Sequence, residues 1–282
     1  MNAADIQFLS SVLKQSSGII VGADKAYLIE ARLTPIARKH SCSDVAALVG
    51  KLRQTAAPAI LRDVVDAMTT NESFFFRDTK PFDLFRNVVL PDLMQKRASN
   101  KTLKIWCAAA STGQEPYSLA ILLAEEAAKM AGWNCSILGT DLSDTALARA
   151  KEGLYTQFEA QRGLSIQRLI KNFDQEGTQW RVKPGLKDKV QYKPFNLLDN
   201  PRSLGTFDVV FCRNVLIYFD QATKGQVLAS IASVMPRDGY LFLGGAETVI
   251  GISDAFEPVP GHHGLYRRGF MTSAPVRATA TA

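Results

Sequence analysis

Glu115, Asp141 and Asn196 stand at or just beyond the ends of three short apolar runs, LKIWCAA, CSILG and KVQYKPF. An acid placed as Asp141 is can accept hydrogen bonds from both hydroxyls of a ribose. Asn196 offers a carbonyl to an adenine amino group, and the Leu197 backbone N–H could meet a ring nitrogen. The run Ala110–Ala120, ASTGQEPYSLA, is a small-residue turn that leads into an apolar helix. It holds a single glycine, Gly113, instead of the G-x-G-x-x-G of dinucleotide sites, and Glu115 would repel a phosphate. Helix capping is the competing use of Asp141, because Ser143 and Asp144 follow it.

A nucleoside with a cationic tail and no phosphate would favour Glu115. S-adenosylmethionine has this character, with a sulfonium, an ammonium and one carboxylate that needs its own cation. That cation could come from MTTNESFFFRD, Met68–Asp78. At least two of Phe74, Phe75 and Phe76 are expected in the core. Asn71, Ser73 and Arg77 are harder to explain by packing, and such a cluster at a domain junction suits a lid over a cleft.

The elements that must position these residues read as α/β. From Leu103 onward strand-like and helical stretches alternate, which implies a parallel sheet covered on both faces, with its strand ends on one edge. LKIWCAA, CSILGTDLS, KVQYKPFNLLD, FDVVFCRNVLIYF and GYLFLGG are the strands; PYSLAILLAEEAAKMA, TALARAKEG (stopped by Gly153) and ATKGQVLASIASVM are helices. The stretch from Tyr155 to Tyr192 is too long for a plain connection, and Pro184–Gly185 predicts a turn within a small antiparallel β insertion at about 160–193. Before this region come helices: one capped by Asp5 and stopped by Gly18, one from Asp24 interrupted near Pro35, one capped by Ser43 and one opened by Pro58. The expected division is a helical domain over 1–70, a linker and lid over 71–100, a sheet domain over 101–270 and a disordered tail over 271–282.

The 282 residues are 46% hydrophobic and 21% charged, with a formal net charge of +6, ordinary values for a water-soluble globular protein. No apolar run reaches membrane-spanning length and the first residues lack a secretory pattern, so a cytoplasmic protein without membrane insertion is expected. Cys42, Cys107, Cys135 and Cys212 are widely spaced and read as reduced thiols; with only His40, His262 and His263 available, no metal site is expected. Arg32, Arg38 and Lys39 give the second helix a basic side, read either as a solvated face or as a docking surface for an acidic helix.

MTTNESFFFRD, AAASTGQEPYSLA, GTDLS and FCRNVLIYFD, in this order, resemble the chemotaxis receptor methyltransferase family over nearly the whole chain to about Arg268. The resemblance implies a Rossmann-like class I S-adenosylmethionine-dependent methyltransferase domain with a β insertion, behind an all-α N-terminal domain. It implies methyl transfer to glutamate side chains of bacterial chemoreceptors in chemotaxis signal transduction, leaving S-adenosylhomocysteine. Carried over to this sequence, it implies cofactor contacts at Asn71, Ser73, Arg77, Glu115, Asp141, Asn196, Leu197, Arg213 and Asn214, and Tyr218 near the transferred methyl; Arg77 and Tyr218 are the residues expected to shape the reacting pocket. Ser73 and Gln114 stand where some members carry threonine and glutamate. The chemoreceptor cytoplasmic domain is the implied partner, docking on the helix with Arg32, Arg38 and Lys39. Whether the β insertion grips a receptor tail, and whether a regulatory protein binds, are left open; a monomer is expected.

Three rivals remain on the sequence. A nucleic-acid methyltransferase fits the basic charge, but Cys212-Arg213-Asn214-Val215 lacks the Asn-Pro-Pro-aromatic of base-amino methylation, so no nucleic-acid partner is expected. A nicotinamide-dependent dehydrogenase fits poorly with Glu115 and the lone glycine. A non-catalytic adapter would not need every site position filled.

Overall fold

The computed structural model describes residues 1–54 and 57–269; the tail expected at 271–282 lies outside the described residues. Helix α1 (Ala3–Ser17) begins at Asn2, whose side chain accepts the Asp5 N–H while the Asp5 carboxylate takes the Asn2 N–H, and Gly18 closes it at φ 76°. Asp5, expected as the cap, is therefore the return half of a reciprocal capping pair. Helix α2 (Ala26–Lys39) runs through Pro35 without a break. Pro35 lies on the exposed face, where the carbonyl it leaves unpaired meets water, while Ile29, Leu33 and Ala37 bury the opposite stripe. Helix α3 (Val45–Gln54) is capped not by Ser43 but by Asp44, whose carboxylate accepts the Ala47 N–H at 2.8 Å. Helix α4 (Pro58–Met68) opens on its proline as expected. The buried faces of α1 to α4 form one apolar core, against which Leu142 of the sheet domain also packs.

The segment expected as a linker is largely helical after Thr79: α5 (Lys80–Leu84), a π-helical turn (Phe85–Val89) and α6 (Leu90–Lys96). Pro81 sits in the first turn of α5, where no N–H is needed, and Pro91 stands where the π-helical turn passes into α6. Phe75, Phe76, Phe82 and Phe85 of this segment enter the core on one face of the sheet.

That sheet is built from β1 (Thr102–Ala108), β2 (Asn134–Asp141), β6 (Val190–Pro194), β7 (Val209–Cys212), β8 (Tyr240–Leu243), β9 (Phe256–Pro258) and β10 (Leu265–Arg268), in the order β6-β2-β1-β7-β8-β10-β9. The first five are parallel, and β10 runs antiparallel to β8 and β9. Helices α7 (Gln114–Glu125), α8 (Asp144–Glu152) and α12 (Gln221–Ser233) connect them. Alternate residues of β1 serve opposite cores: Ile105 and Cys107 join Phe211 and Phe242, whereas Trp106 and Ala108 join Val210 and Leu241. The chain order reverses between β1 and β7, so the carboxyl ends of β1, β2, β6 and β7 surround a crevice. The run FDVVFCRNVLIYF is strand only to Cys212; the rest turns over the edge and closes as a 3₁₀ turn at Leu216–Tyr218.

The insertion is a separate antiparallel sheet, β3 (Leu154–Thr156), β5 (Gln179–Val182) and β4 (Phe173–Glu176), with α9 (Gln157–Gln161) and α10 (Ile166–Asn172) between β3 and β4. Its hairpin turns at Gly177, φ 61°, not at Pro184–Gly185, which instead start the helical turn α11 (Pro184–Lys187) leading into β6. A two-residue hairpin demands positive φ, which glycine supplies and proline cannot.

Candidate functional site

The crevice at the strand ends is an open cavity of about 970 Å³ counting its mouth, lined by residues that include Asn71, Ser73, Arg77, Glu115, Asp141, Asn196, Leu197, Arg213, Asn214 and Tyr218. All ten residues singled out in the sequence thus face one space. Its floor begins after β1. Ala109 (φ 68°), Ser111 (φ 51°) and Gly113 (φ 94°) turn the backbone sharply into α7. Gly113 has no room for a side chain, since a Cβ would stand 2.8 Å from the Tyr192 hydroxyl and 2.9 Å from the Ala150 Cβ.

Asp141 staples this turn to the next one. Its carboxylate accepts the Ser111 N–H at 2.7 Å and the Ser143 N–H at 2.9 Å, while the Ser143 hydroxyl caps α8. Burial pushes the Asp141 carboxyl above the usual carboxylate range, and the Ser143, Ser111 and Leu142 N–H groups hold it back. Capping and ligand recognition are not exclusive here, because each carboxylate oxygen retains a second acceptor direction.

The interdomain segment forms the roof. The Ser111 hydroxyl donates to the Asn71 carbonyl at 2.7 Å, the Asn71 amide reaches the Ser143 hydroxyl at 3.3 Å, and the Phe76 N–H reaches the Ser118 hydroxyl at 2.9 Å. Phe75 and Phe76 are buried and Phe74 is half-buried, with the Arg77 and Arg162 guanidinium groups over its ring. Arg77 also donates to the Glu72 carbonyl at 2.8 Å.

Arg213, at the exit of β7, has a side chain only 2% exposed. It donates to Glu115 at 2.8 Å, to Asp78 at 2.6 Å and to the Arg77 carbonyl at 2.9 Å, and its Nε is buried with no partner among the described residues. Glu115 is therefore not the free carboxylate that the sequence implied: one oxygen is spent on Arg213. Burial pushes the Glu115 carboxyl up, and the Arg213 guanidinium opposes that shift. The Cys107 thiol behind it is pushed well up, first by burial and then by Glu115. All four cysteines are free.

Asn196 departs further from expectation. Its amide N–H donates to the Ser16 carbonyl at 2.7 Å and its oxygen accepts the Leu198 N–H at 3.1 Å, so the side chain ties the sheet edge to the end of α1. The N-terminal domain reaches the rim a second time where Ile20 N–H donates to the Tyr218 carbonyl at 3.0 Å. Tyr218 itself is half-buried on the cavity wall.

Arg32 is turned inward rather than out: it donates to the Met68 and Thr69 carbonyls, both at 2.9 Å, and to the Thr70 hydroxyl at 3.2 Å. Lys39 pairs with Asp63 at 2.8 Å, and Arg38 is exposed. Charge at i, i+6 and i+7 of a helix cannot reveal which member is spent within the fold. Arg32→Ala is expected to loosen the segment that leads to Asn71 and to weaken binding in the cavity about tenfold, since hydrogen bonds from a charged group are worth about 1.5–3 kcal/mol. Isothermal titration at the cavity is the check; unchanged affinity would show that the segment holds without it.

Among the described residues no histidine lines the cavity. It offers carboxylates, a buried cation, a phenol and apolar walls from Leu142, Phe195 and Val215. That set can hold a nucleoside with a zwitterionic tail and offers no nucleophile–base pair. Sequence patterns missed Asp78 and Ser111, whose contacts arise only once separate strand ends meet.

A family model described as "CheR methyltransferase, SAM binding domain" matches residues 71–265, and one described as "CheR methyltransferase, all-alpha domain" matches residues 4–69. The chain is 38% identical over 265 residues to the chemotaxis protein methyltransferase Cher2 of Pseudomonas putida, covering 93% of this chain and 96% of that one. It is 39% identical over 269 residues to chemotaxis protein methyltransferase 1 of Pseudomonas aeruginosa (94% and 97%), and 31% identical over 254 residues to the chemotaxis protein methyltransferase of Escherichia coli (88% and 85%).

Proposed function

This chain belongs to the CheR methyltransferase family, and from that premise we propose that it esterifies glutamate side chains of bacterial chemoreceptors in the cytoplasm, leaving S-adenosylhomocysteine. The observation that carries this reading is the convergence of Asp141, Glu115, Arg213 and the roof residues Asn71, Ser73 and Arg77 on one cavity at the sheet's switch point. Three features support a nucleoside: Asp141, which would accept a ribose diol, lines the cavity, Leu197 and Phe195 add apolar surface to it, and the buried Arg213 Nε has no acceptor among the described residues.

Bound S-adenosylmethionine supplies an electrophilic methyl group on a positively charged sulfur. The acceptor carboxylate, with an ordinary pKa of about 4.3, is already ionised at neutral pH and needs no general base. The protein must instead place it in line, at roughly 3–3.5 Å before attack, and remove its water. On this reading Tyr218 at the rim and Arg77 in the roof, both of which line the cavity, bound that space. They orient and exclude water; neither has to move a proton. Docking falls to the exposed side of α2, where Arg38 would meet an acidic receptor helix.

Titration calorimetry with S-adenosylmethionine and S-adenosylhomocysteine tests the premise. Wild type is expected to bind both, and Asp141→Ala to lose about tenfold or more in affinity, since a hydrogen bond to a charged group is worth about 1.5–3 kcal/mol. Transfer of label to a receptor cytoplasmic fragment, abolished by replacing its acceptor glutamates, tests the substrate. Arg38→Glu should leave product affinity intact and slow this transfer most at low salt. Binding of neither nucleoside by the wild type would overturn the reading.

A further inference from the structure

Glu247 lies beyond the end of β8, in a stretch without any recognised motif, and is only 5% exposed. Among the described residues, its carboxylate is held by backbone donors alone. One oxygen accepts the Asn214 N–H at 2.8 Å and the Gly244 N–H at 2.6 Å; the other accepts the Val215 N–H at 3.0 Å and the Ile217 N–H at 3.3 Å. Three of these four donors belong to the turn between Arg213 and Tyr218, and the fourth to the end of the neighbouring strand.

Resting on the methyl-transfer reading above, we propose that Glu247 is a positioning residue, whose carboxylate gathers the backbone of the 214–217 turn and so sets where Arg213, Asn214 and Tyr218 stand around the cavity. Successive N–H groups in such a turn form a concavity that demands an anion. Asn214 has φ 59°, a left-handed conformation that a non-glycine residue adopts at a cost, and its N–H points at Glu247. Without the carboxylate those donors would lose their shared acceptor and the turn would relax towards ordinary dihedrals. Gly244 makes the approach possible: a Cβ there would stand 2.7 Å from a Glu247 oxygen and 2.8 Å from the Asn214 side-chain nitrogen. The same residue thus joins the exits of β7 and β8 and reaches the site only through the backbone it holds.

The variants Glu247→Gln, Glu247→Asp and Gly244→Ala test this. In Glu247→Gln an amide N–H₂ replaces an oxygen that faces two donors. Hydrogen exchange read by mass spectrometry on the ligand-free protein should show faster exchange confined to the 213–218 peptide. S-adenosylhomocysteine affinity should fall about tenfold, and kcat on a receptor fragment roughly 10²-fold with KM for the fragment little changed, the scale expected of a small misplacement of reacting groups. Glu247→Asp should recover part of the loss because it keeps the anion. Gly244→Ala, which displaces the carboxylate without removing it, should reproduce the loss even if Glu247→Gln does not fold. Wild-type exchange and wild-type affinity in both Glu247→Gln and Gly244→Ala would overturn the proposal. If the wild type itself binds no S-adenosylhomocysteine, the methyl-transfer reading falls instead, and the exchange data alone still decide the role of Glu247.

Discussion

Arg213→Met is expected to lower the free energy of unfolding by about 3–5 kcal/mol and to abolish measurable S-adenosylhomocysteine binding. The guanidinium is almost fully buried and joins three parts of the molecule: Glu115 on α7, Asp78 and the Arg77 carbonyl in the roof, and its own strand end. Deleting it leaves Glu115 charged and largely buried without its partner, which costs far more than the pair itself contributes. The pH dependence follows from the sign. Burial already raises the Glu115 carboxyl, and losing Arg213 removes the main opposing influence, so its folded pKa rises further above the unfolded value. The folded variant then binds a proton that the unfolded chain lacks, and stability falls as pH rises. The deficit should therefore be largest at neutral pH and shrink as acidification protonates Glu115.

Glu115→Gln combined with Arg213→Met should regain much of the stability without regaining binding, because the buried charge is gone while the donors to the site are still missing. Arg213→Lys should fall between, since one ammonium cannot reach Glu115, Asp78 and the Arg77 carbonyl together. Denaturant melts at pH 5 and pH 7 with paired calorimetry separate these outcomes. A wild-type melt for Arg213→Met would show that the pair is not the strut between floor and roof.

The α/β class and the strand exits were legible because each exit couples an apolar run to a polar residue that packing does not require, as with Leu138–Asp141 and Val209–Arg213. Less legible were features decided by where a residue faces. Pro35 read as a break, yet the helix runs through it because the carbonyl it leaves unpaired lies on the exposed face. Arg32 read as one of three surface cations, yet it is spent on carbonyls of the segment that leads to Asn71. Asn196 read as an adenine contact, with nothing to show that its side chain is also tied to Ser16 and Leu198. Glu247 had no signal at all, because its four donors come from the backbone and backbone donors leave no mark on residue type. Strain was equally silent: among the described residues, three of the eight non-glycine positions with positive φ (Ala109, Ser111 and Asn214) line the cavity, and three more (Phe76, Asp78 and Thr79) flank the cavity residue Arg77 in sequence. Backbone strain held in place by surrounding contacts is a common property of binding sites.

Gly163→Ala should produce the other large effect, and it does so from outside the cavity. Gly163 follows α9 in the insertion at φ 97°, and a Cβ there would stand 1.8 Å from the Phe75 carbonyl oxygen. Positive φ costs a non-glycine residue about 1–2 kcal/mol, and forcing the backbones apart adds roughly 1–3 kcal/mol more. What must move is the roof. Arg162 pairs with Glu72 at 2.9 Å and lies over Phe74, the Arg168 guanidinium lies 4.0 Å from the Phe76 ring centroid, and Phe75 meets Tyr155 and Phe173 edge-on at 5.0 and 5.4 Å. The insertion thus grips the segment that carries Ser73 and Arg77, and a shift there displaces both from the cavity. Product affinity should fall about tenfold or more at a temperature where the variant is still folded, as expected when binding groups lose their preset geometry. Gly185→Ala, in the same insertion with nothing within 4 Å of the added atom, should change neither stability nor affinity. If Gly163→Ala melts and binds like Gly185→Ala, the insertion does not hold the roof, and the coupling between it and the site has to be sought elsewhere.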